Sequence, residues 1–398
     1  MTLGQRAFCE PDTPGLSCSV VDRKLRAVFL ISATGGGHIA SAHAIAAGLE
    51  ARNPGRFEFI YIDAFREYFG FPLRKAPEIY ARWIALSPRS YGFAFSVTDS
   101  FYFSRFSLNG FQSHYGRRIM APLKALKPDI ILPIHALLVR PAVSGREALA
   151  LGIPVATFVT DFACPHRGWF HPGLDLCLVA GEAASQRAQA MGIPSERIIN
   201  AGLLVHPKFS DSKEGKEDAQ VKLGLDPERP TVLVLGGGEG MGRLGRVVRE
   251  LDRVLSGIQL LVVCGRNRGL AERLSTTKWR NRVRIFGFVR ELEVLMRAAD
   301  LLVTKAGPLS IAEGLTAGLP LLIYEAIPVQ ETGNALWVEQ VGAGRFIRDP
   351  VRLAEVAADW LARPATLREL SARARAVATP DSALRAAAAI EELLGLGR

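Results

Sequence analysis

A chain of 398 residues with 48% hydrophobic and 22% charged residues can bury two ordinary cores, which excludes a disordered polypeptide. A net charge of +10 favours anionic partners: phosphates, nucleic acid or an acidic lipid surface. Five scattered cysteines without a C-x-x-C pair argue for neither a zinc site nor a disulfide framework, and no apolar run approaches the roughly 18–20 residues of a membrane-spanning helix.

Residues 1–25 read as an N-terminal extension. They contain Glu10, Pro11, Asp12 and Pro14 and lack the apolar core of a signal peptide. A first domain over 26–209 opens with a predicted strand at 27–31. It hands over through Gly35-Gly36-Gly37-His38 to a helix starting near Ser41. Glycines there allow a sharp turn and a close backbone approach to a ligand. The turn delivers His38 to the carboxyl edge of a sheet, with a pKa expected near neutrality that suits a proton acceptor. A tight turn with an incidental surface histidine is the plainer alternative. Further strands are expected at 57–62, 130–134, 155–159 and 176–180, with helical patterns between most of them.

One segment breaks this alternation. Of the chain's 32 aromatics, 15 fall between Phe65 and Tyr115, interleaved with Arg66, Arg74, Lys75, Arg82, Arg89 and Arg105. Read as an insertion over 65–118, this is an interfacial lipid surface, an aromatic-rich core, or a stacking surface for single-stranded nucleic acid.

The polar stretch 210–229 reads as an exposed connector between Pro207 and Pro230. A second domain over 230–379 then repeats the alternation, with strands at 231–235, 260–264, 283–286, 301–304 and 320–323. The loop Gly236-Gly237-Gly238-Glu239-Gly240 is a weak clue by itself, and no Gly-Lys-Ser/Thr follows it to make a P-loop. The junction Thr304-Lys305-Ala306-Gly307-Pro308-Leu309-Ser310 says more. It places a helix N-terminus where amides and dipole hold a diphosphate, with Glu313 one turn in to accept from a ribose diol or simply to stabilise the dipole. Gln330, Glu331 and Asn334 can read sugar hydroxyls, or form an ordinary solvated loop. The tail 353–394 is helical, broken at Pro380, so 380–398 forms a final helix able to pack back on the first domain.

Taken together, Thr34-Gly35-Gly36-Gly37-His38, Pro128-Asp129-Ile130-Ile131, Thr157-Phe158-Val159-Thr160-Asp161 with Trp169-Phe170-His171, Gly202-Leu203-Leu204-Val205-His206-Pro207, Cys264-Gly265-Arg266-Asn267, Phe286-Gly287-Phe288-Val289, Thr304 through Glu313, Ala317-Gly318-Leu319-Pro320 and Gln330 through Asn334 resemble family 28 glycosyltransferases. The resemblance covers about residues 26–350 and is strongest to monogalactosyldiacylglycerol synthases and processive diacylglycerol glucosyltransferases. It implies an α/β GT-B fold, two Rossmann-like domains with parallel sheets facing a cleft. It implies His38 as general base and Asp161 on the acceptor side of the cleft. Phe288 and Val289 would hold the uracil, Gly307, Leu309 and Ser310 the phosphates, Glu313 the ribose, and Gln330, Glu331 and Asn334 the sugar. Gly36, Gly37, Gly237, Gly238, Arg266 and Lys305 complete the expected donor set. Leu309 stands where a second glycine is common, and the run Cys164-Pro165-His166-Arg167-Gly168 departs from the usual threonine/serine-rich one.

The expected reaction is a single inverting displacement. UDP-hexose, galactose or glucose, is the donor and diacylglycerol the acceptor. Asp161 is expected to orient or charge-balance His38. No Asp-x-Asp occurs in the chain, so no obligatory metal or other cofactor is expected. Nucleic acid is not an expected partner. The resemblance raises the lipid reading of the aromatic insertion, with the protein peripheral on the cytoplasmic face of an anionic membrane. The rival readings are a UDP-GlcNAc transferase acting on an undecaprenyl-linked precursor, a sugar-nucleotide 2-epimerase, and a non-catalytic membrane-surface protein.

Overall fold

The computed structural model describes residues 23–32, 36–71, 73–100, 109–210, 214–240 and 242–396. Among the described residues there are twelve strands, all in parallel pairs, and most follow from the apolar runs. β1 (Leu25–Ile31), β2 (Phe57–Asp63) and β3 (Ile130–Pro133) form one sheet in the order β2-β1-β3. β4 (Ala156–Phe158), β5 (Leu176–Val179) and β6 (Ile198–Asn200) continue it, joined to β3 by a single Ile131–Val155 bridge and by the Thr157 hydroxyl donating to the Pro133 carbonyl at 2.7 Å. The first layer therefore reads β2-β1-β3-β4-β5-β6.

The second sheet comprises β7 (Thr231–Leu235), β8 (Gln259–Val263), β9 (Arg282–Phe286), β10 (Leu301–Lys305), β11 (Leu321–Glu325) and β12 (Gly344–Phe346), in the order β12-β11-β10-β7-β8-β9. Strand order reverses beside β1 and β3 in one domain and between β7 and β10 in the other. At such switch points the connections leave for opposite faces and open a crevice beyond the carboxyl ends of the strands. The sheet thus fixes the site before any catalytic residue is considered.

Three features differ from the sequence reading. β6 and β12 are three-residue edge strands, too short to give a periodic signal. The stretch 210–229, expected as an exposed connector, carries the helix Lys216–Lys222, which belongs to the second domain. Only Ala219 and Gln220 of that helix are buried, and the Gln220 amide donates to the Ala298 carbonyl at 3.2 Å. So narrow a buried stripe leaves the composition polar. Third, the structure sorts the insertion aromatics, which the sequence left undivided between core and surface: Phe65 and Phe69 are buried and stacked at 5.0 Å, and Tyr115 stacks on Phe69 at 4.7 Å. Phe101, Tyr102, Phe103 and Phe106 lie outside the described residues, as do residues 1–22 of the N-terminal extension.

Within the insertion, Ala76–Leu86 and Pro88–Thr98 form a helical hairpin. At the other end of the chain, helices Pro350–Leu361 and Pro364–Val377 cover the second domain, and the chain then crosses back. Helix Ser382–Leu393 buries Ala383, Ala386, Ala387 and Ile390 in the same cluster as Ala44, Ile45 and Leu49 of helix Gly37–Arg52. Its Glu391 carboxylate accepts from Arg52 at 2.9 Å and from Asn53 at 2.6 Å. The two domains are therefore joined by two chain crossings.

Candidate active site

The two crevices face each other across a cavity of about 800 Å³. The first domain lines it with Gly36, Gly37, His38, Tyr80 and Asp161, and the second with Gly237, Gly238, Arg266, Phe288, Val289, Lys305, Gly307, Leu309, Ser310, Glu313, Gln330 and Glu331. The loops after β1 and β7 meet directly. A β-carbon on Gly238 would come within 3.0 Å of the Gly36 amide nitrogen, so a side chain at 238 would push the domains apart. Glycine is needed there because two backbones touch across the cleft.

His38 lies in the first turn of helix Gly37–Arg52. The capping residue is Gly36, which has no side chain to occupy the first amides, and the first turn has no acid. The His38 ring packs 4.7 Å from the His135 ring and 6.0 Å from Trp169. Its Nδ1 is buried and has no hydrogen-bond partner among the described residues. Burial drives the imidazole down to about 4, rather than the neutral value expected from sequence, so the ring is uncharged across the physiological range.

Asp161 follows β4 and is 8% exposed. The expected contact with His38 is not among its hydrogen bonds. Its Oδ2 accepts from Trp169 Nε1 at 2.9 Å. Burial raises its carboxyl to about 6, partly offset by Trp169 and Gln330. Asp161 and His38 are thus linked through the Trp169 indole, which one holds and the other packs against.

On the facing side, β10 runs into helix Pro308–Thr316. Gly307 caps this helix without a side chain and Pro308 has no amide hydrogen. The Leu309 and Ser310 amides, at the positive end of the helix dipole, are left for a ligand's anion. Lys305 Nζ donates to Glu331 Oε1 at 2.5 Å, and Glu331 Oε2 accepts the Ile327 amide at 3.1 Å. Glu331 therefore fixes the lysine and the turn as well as lining the cavity. Asn334 differs from expectation. It is 1% exposed, lies outside the cavity lining and donates from Nδ2 to the Ala306 carbonyl at 3.1 Å. It braces the turn before helix Pro308–Thr316 from behind.

Glu313 faces the cavity one turn further along its helix, and burial lifts its carboxyl to about 8, with Lys208 opposing and Glu293 adding to the rise. Lys208 pairs with Glu293 at 2.7 Å and donates to the Arg290 carbonyl at 2.6 Å. Phe288 is 59% exposed, with the Arg266 guanidinium 5.7 Å from its ring, so an open aromatic face stands at the cavity wall. Arg266 is paired with Glu239.

Sequence reasoning missed Tyr80, His135 and Lys208. His135 follows β3 as His38 follows β1, at the same carboxyl edge, and that placement was a readable signal. Its Nδ1 accepts the Leu137 amide at 3.1 Å, which leaves the ring proton on Nε2. Lys208 follows a His-Pro pair at the domain crossing, and nothing local distinguishes it from a surface lysine.

Residues 38–205 match the family model for monogalactosyldiacylglycerol (MGDG) synthase, and residues 231–386 match that for the glycosyltransferase family 28 C-terminal domain. The chain is 33% identical over 365 residues to monogalactosyldiacylglycerol synthase 3, chloroplastic, of Arabidopsis thaliana, covering 89% of this chain and 78% of that one. Among solved structures it resembles Acinetobacter baumannii MurG, with a TM-score of 0.58 and 16% identity over 92% of this chain and 99% of that one. It also resembles Anabaena Alr3699/HepE in complex with UDP and glucose, with a TM-score of 0.53 and 13% identity over 92% and 98%. At such identities these likenesses speak to fold alone, and the fold is the two-domain GT-B glycosyltransferase architecture.

Proposed function

The chain belongs to the monogalactosyldiacylglycerol synthase family, and from that premise we propose that it transfers galactose, with inversion, from UDP-galactose to diacylglycerol on a membrane surface. It is a UDP-sugar-dependent hexosyltransferase that makes a glycolipid. The observation that carries the mechanism is the cross-cleft pairing. An uncharged imidazole, whose buried Nδ1 has no partner among the described residues, lines the same cavity as a helix N-terminus whose amides have no side-chain cap. His38 takes the proton of the acceptor's primary hydroxyl as that oxygen attacks the anomeric carbon. The bond from that carbon to the diphosphate oxygen breaks, and UDP departs. Its charge is held by the Leu309 and Ser310 amides and by Lys305. Uracil stacks on Phe288, the ribose diol meets Glu313, and the hexose meets Gln330 and Asp161.

Lipid-product mass spectrometry tests this reading. We expect monogalactosyldiacylglycerol from UDP-galactose, at a rate unchanged by excess EDTA because amides and lysine carry the phosphate charge. Preferential use of UDP-glucose, or loss of turnover on chelation, refutes the corresponding part. The undecaprenyl-precursor, epimerase and non-catalytic alternatives carry no comparable family support.

We also propose that the helical hairpin is the lipid-docking surface. Leu86 and Phe93 are 85% and 73% exposed, as is Phe71 (84%) just before the hairpin, Trp83 is half-exposed, and Arg82 and Arg89 of the hairpin are exposed too. Apolar side chains that sink to headgroup depth beside cations are what an interfacial anchor needs. No helix of the described residues is long and apolar enough to cross a membrane. The free thiols of Cys164, Cys177 and Cys264 fit a reducing, cytoplasmic face. The triple variant Phe71→Ser, Leu86→Ser, Phe93→Ser is expected to lose at least about tenfold in binding to anionic vesicles while UDP binding is kept. Wild-type binding should weaken with salt. Equal sedimentation of variant and wild type removes the assignment.

A further inference from the structure

The hairpin helix Pro88–Thr98 touches both domains. At its C-terminal end Asp99 accepts the Arg167 amide at 2.7 Å and pairs with Arg187, and Thr98 Oγ1 lies 3.2 Å from His166 Nε2. These contacts root it in the first domain. In its middle, the Tyr91 hydroxyl donates to Gln330 Oε1 at 3.0 Å, across to the second domain. One residue on, a β-carbon at Gly92 would come within 2.9 Å of the Pro328 side chain, so the helix backbone lies directly against the 328–331 loop. Tyr91 packs edge-on against Tyr80 at 5.3 Å and against Trp83 at 5.7 Å, and Trp83 belongs to the exposed apolar face. A continuous set of contacts therefore runs from that face through Tyr91 to Gln330, and from Asp161 to the Trp169 wall of His38.

A glutamine amide has two near-equal orientations with opposite chemistry. Tyr91 has one hydroxyl proton to give, and giving it to Oε1 commits the Gln330 nitrogen, with two protons, to the opposite side. There it meets Asp161 and the sugar space.

We propose that Tyr91 is a positioning residue for the donor hexose: by fixing the Gln330 amide from the lipid-facing hairpin, it makes recognition of the sugar and seating on a lipid surface mutually dependent. This rests on Gln330 as a hexose contact and on the hairpin as the lipid-docking surface. Linkage requires the coupling to be reciprocal: whatever vesicles add to hexose recognition, the sugar-bearing donor adds to vesicle affinity. Neither effect extends to UDP alone, which lacks the hexose.

The test compares full-length wild type and Tyr91→Phe by titration calorimetry with UDP and with UDP-galactose, with and without vesicles of neutral and anionic phospholipid lacking diacylglycerol, so that no turnover occurs. We expect the variant to bind UDP as wild type does but UDP-galactose about 5–10-fold more weakly, the scale of one lost hydrogen bond. Vesicles should tighten UDP-galactose several-fold on wild type and not on the variant. KM for UDP-galactose should rise more than kcat falls. An unchanged UDP-galactose to UDP ratio in the variant overturns the positioning role. Equal tightening of both proteins by vesicles overturns the coupling. Vesicle sedimentation, run in parallel, separates these outcomes from failure of the docking reading: a wild type that does not sediment removes the lipid surface and the coupling with it, and the solution ratio still decides Tyr91. A Gln330→Ala variant with undiminished UDP-galactose affinity removes the hexose contact on which the proposal rests.

Discussion

The His38→Ala variant should lose about 10³-fold in kcat for hexose transfer, within the range for removing a positioned general base, while binding UDP within about twofold of wild type. The split follows from where the ring sits. His38 is on the acceptor side, and the groups proposed to hold UDP all come from the other domain. With its pKa near 4, the imidazole is unprotonated at any working pH, and its titration is too acidic to shape the neutral range of the pH profile. The acid limb of kcat/KM should instead fall near pH 6, where the buried Asp161 carboxyl titrates. Protonated Asp161 no longer offers negative charge to the Trp169 indole or to the imidazolium that forms as the proton arrives. In Asp161→Asn that limb should vanish along with much of the activity. A His38→Ala enzyme with full turnover, or an acid limb near pH 6 that persists in Asp161→Asn, ends these assignments.

The parallel strands were readable because buried parallel strands are nearly continuous apolar runs, and β1, β7 and β10 are each followed by glycine at the point where a ligand must approach backbone. His38 was legible for the same local reason. Its pKa was not, because the shift comes from burial, and the Trp169 and His135 rings that pack against it arrive from β3 and β4 connections nearly a hundred residues or more away. Asp161 was named, but its partner was misjudged: a motif gives a residue its neighbourhood, and only packing decides which donor reaches it. Asn334 and Glu331 show the same limit. Both carry side chains fit for sugar hydroxyls, yet Asn334 lies outside the cavity lining and donates to the Ala306 carbonyl, and Glu331, which does line the cavity, also holds Lys305 and the Ile327 amide. The aromatic insertion divided by burial into core (Phe65, Phe69) and surface (Phe71, Phe93), a division that composition alone does not contain.

The Glu313→Gln variant should be more stable than wild type at about pH 8 and a worse binder of UDP. Burial raises the Glu313 carboxyl to about 8 from an unfolded value near 4.5, so between these limits the folded chain keeps a proton that the unfolded chain has released. Stability then falls as pH rises, by up to about 1.4 kcal/mol per pH unit. The sign is opposite to that of an ion-paired carboxylate, and the cost is absent below the unfolded value, where both states are protonated. Glutamine keeps the shape and cannot ionise, so its advantage should be nil near pH 4.5 and reach about 1–3 kcal/mol near pH 8, a rise of several degrees in Tm. The cost has a use. A carboxylate set against the ribose diol accepts two hydrogen bonds as a charged group, which glutamine cannot match, and its loss should weaken UDP binding about 10–100-fold. UDP binding at neutral pH should also release a proton from Glu313, visible as a dependence of the binding enthalpy on the buffer's ionisation heat, and that dependence should disappear in Glu313→Gln. Thermal unfolding at the two pH values with UDP calorimetry checks both halves. Unchanged UDP affinity would remove Glu313 from the ribose, and a variant less stable than wild type at about pH 8 would mean that the buried carboxyl is stabilised by a partner that outweighs its burial.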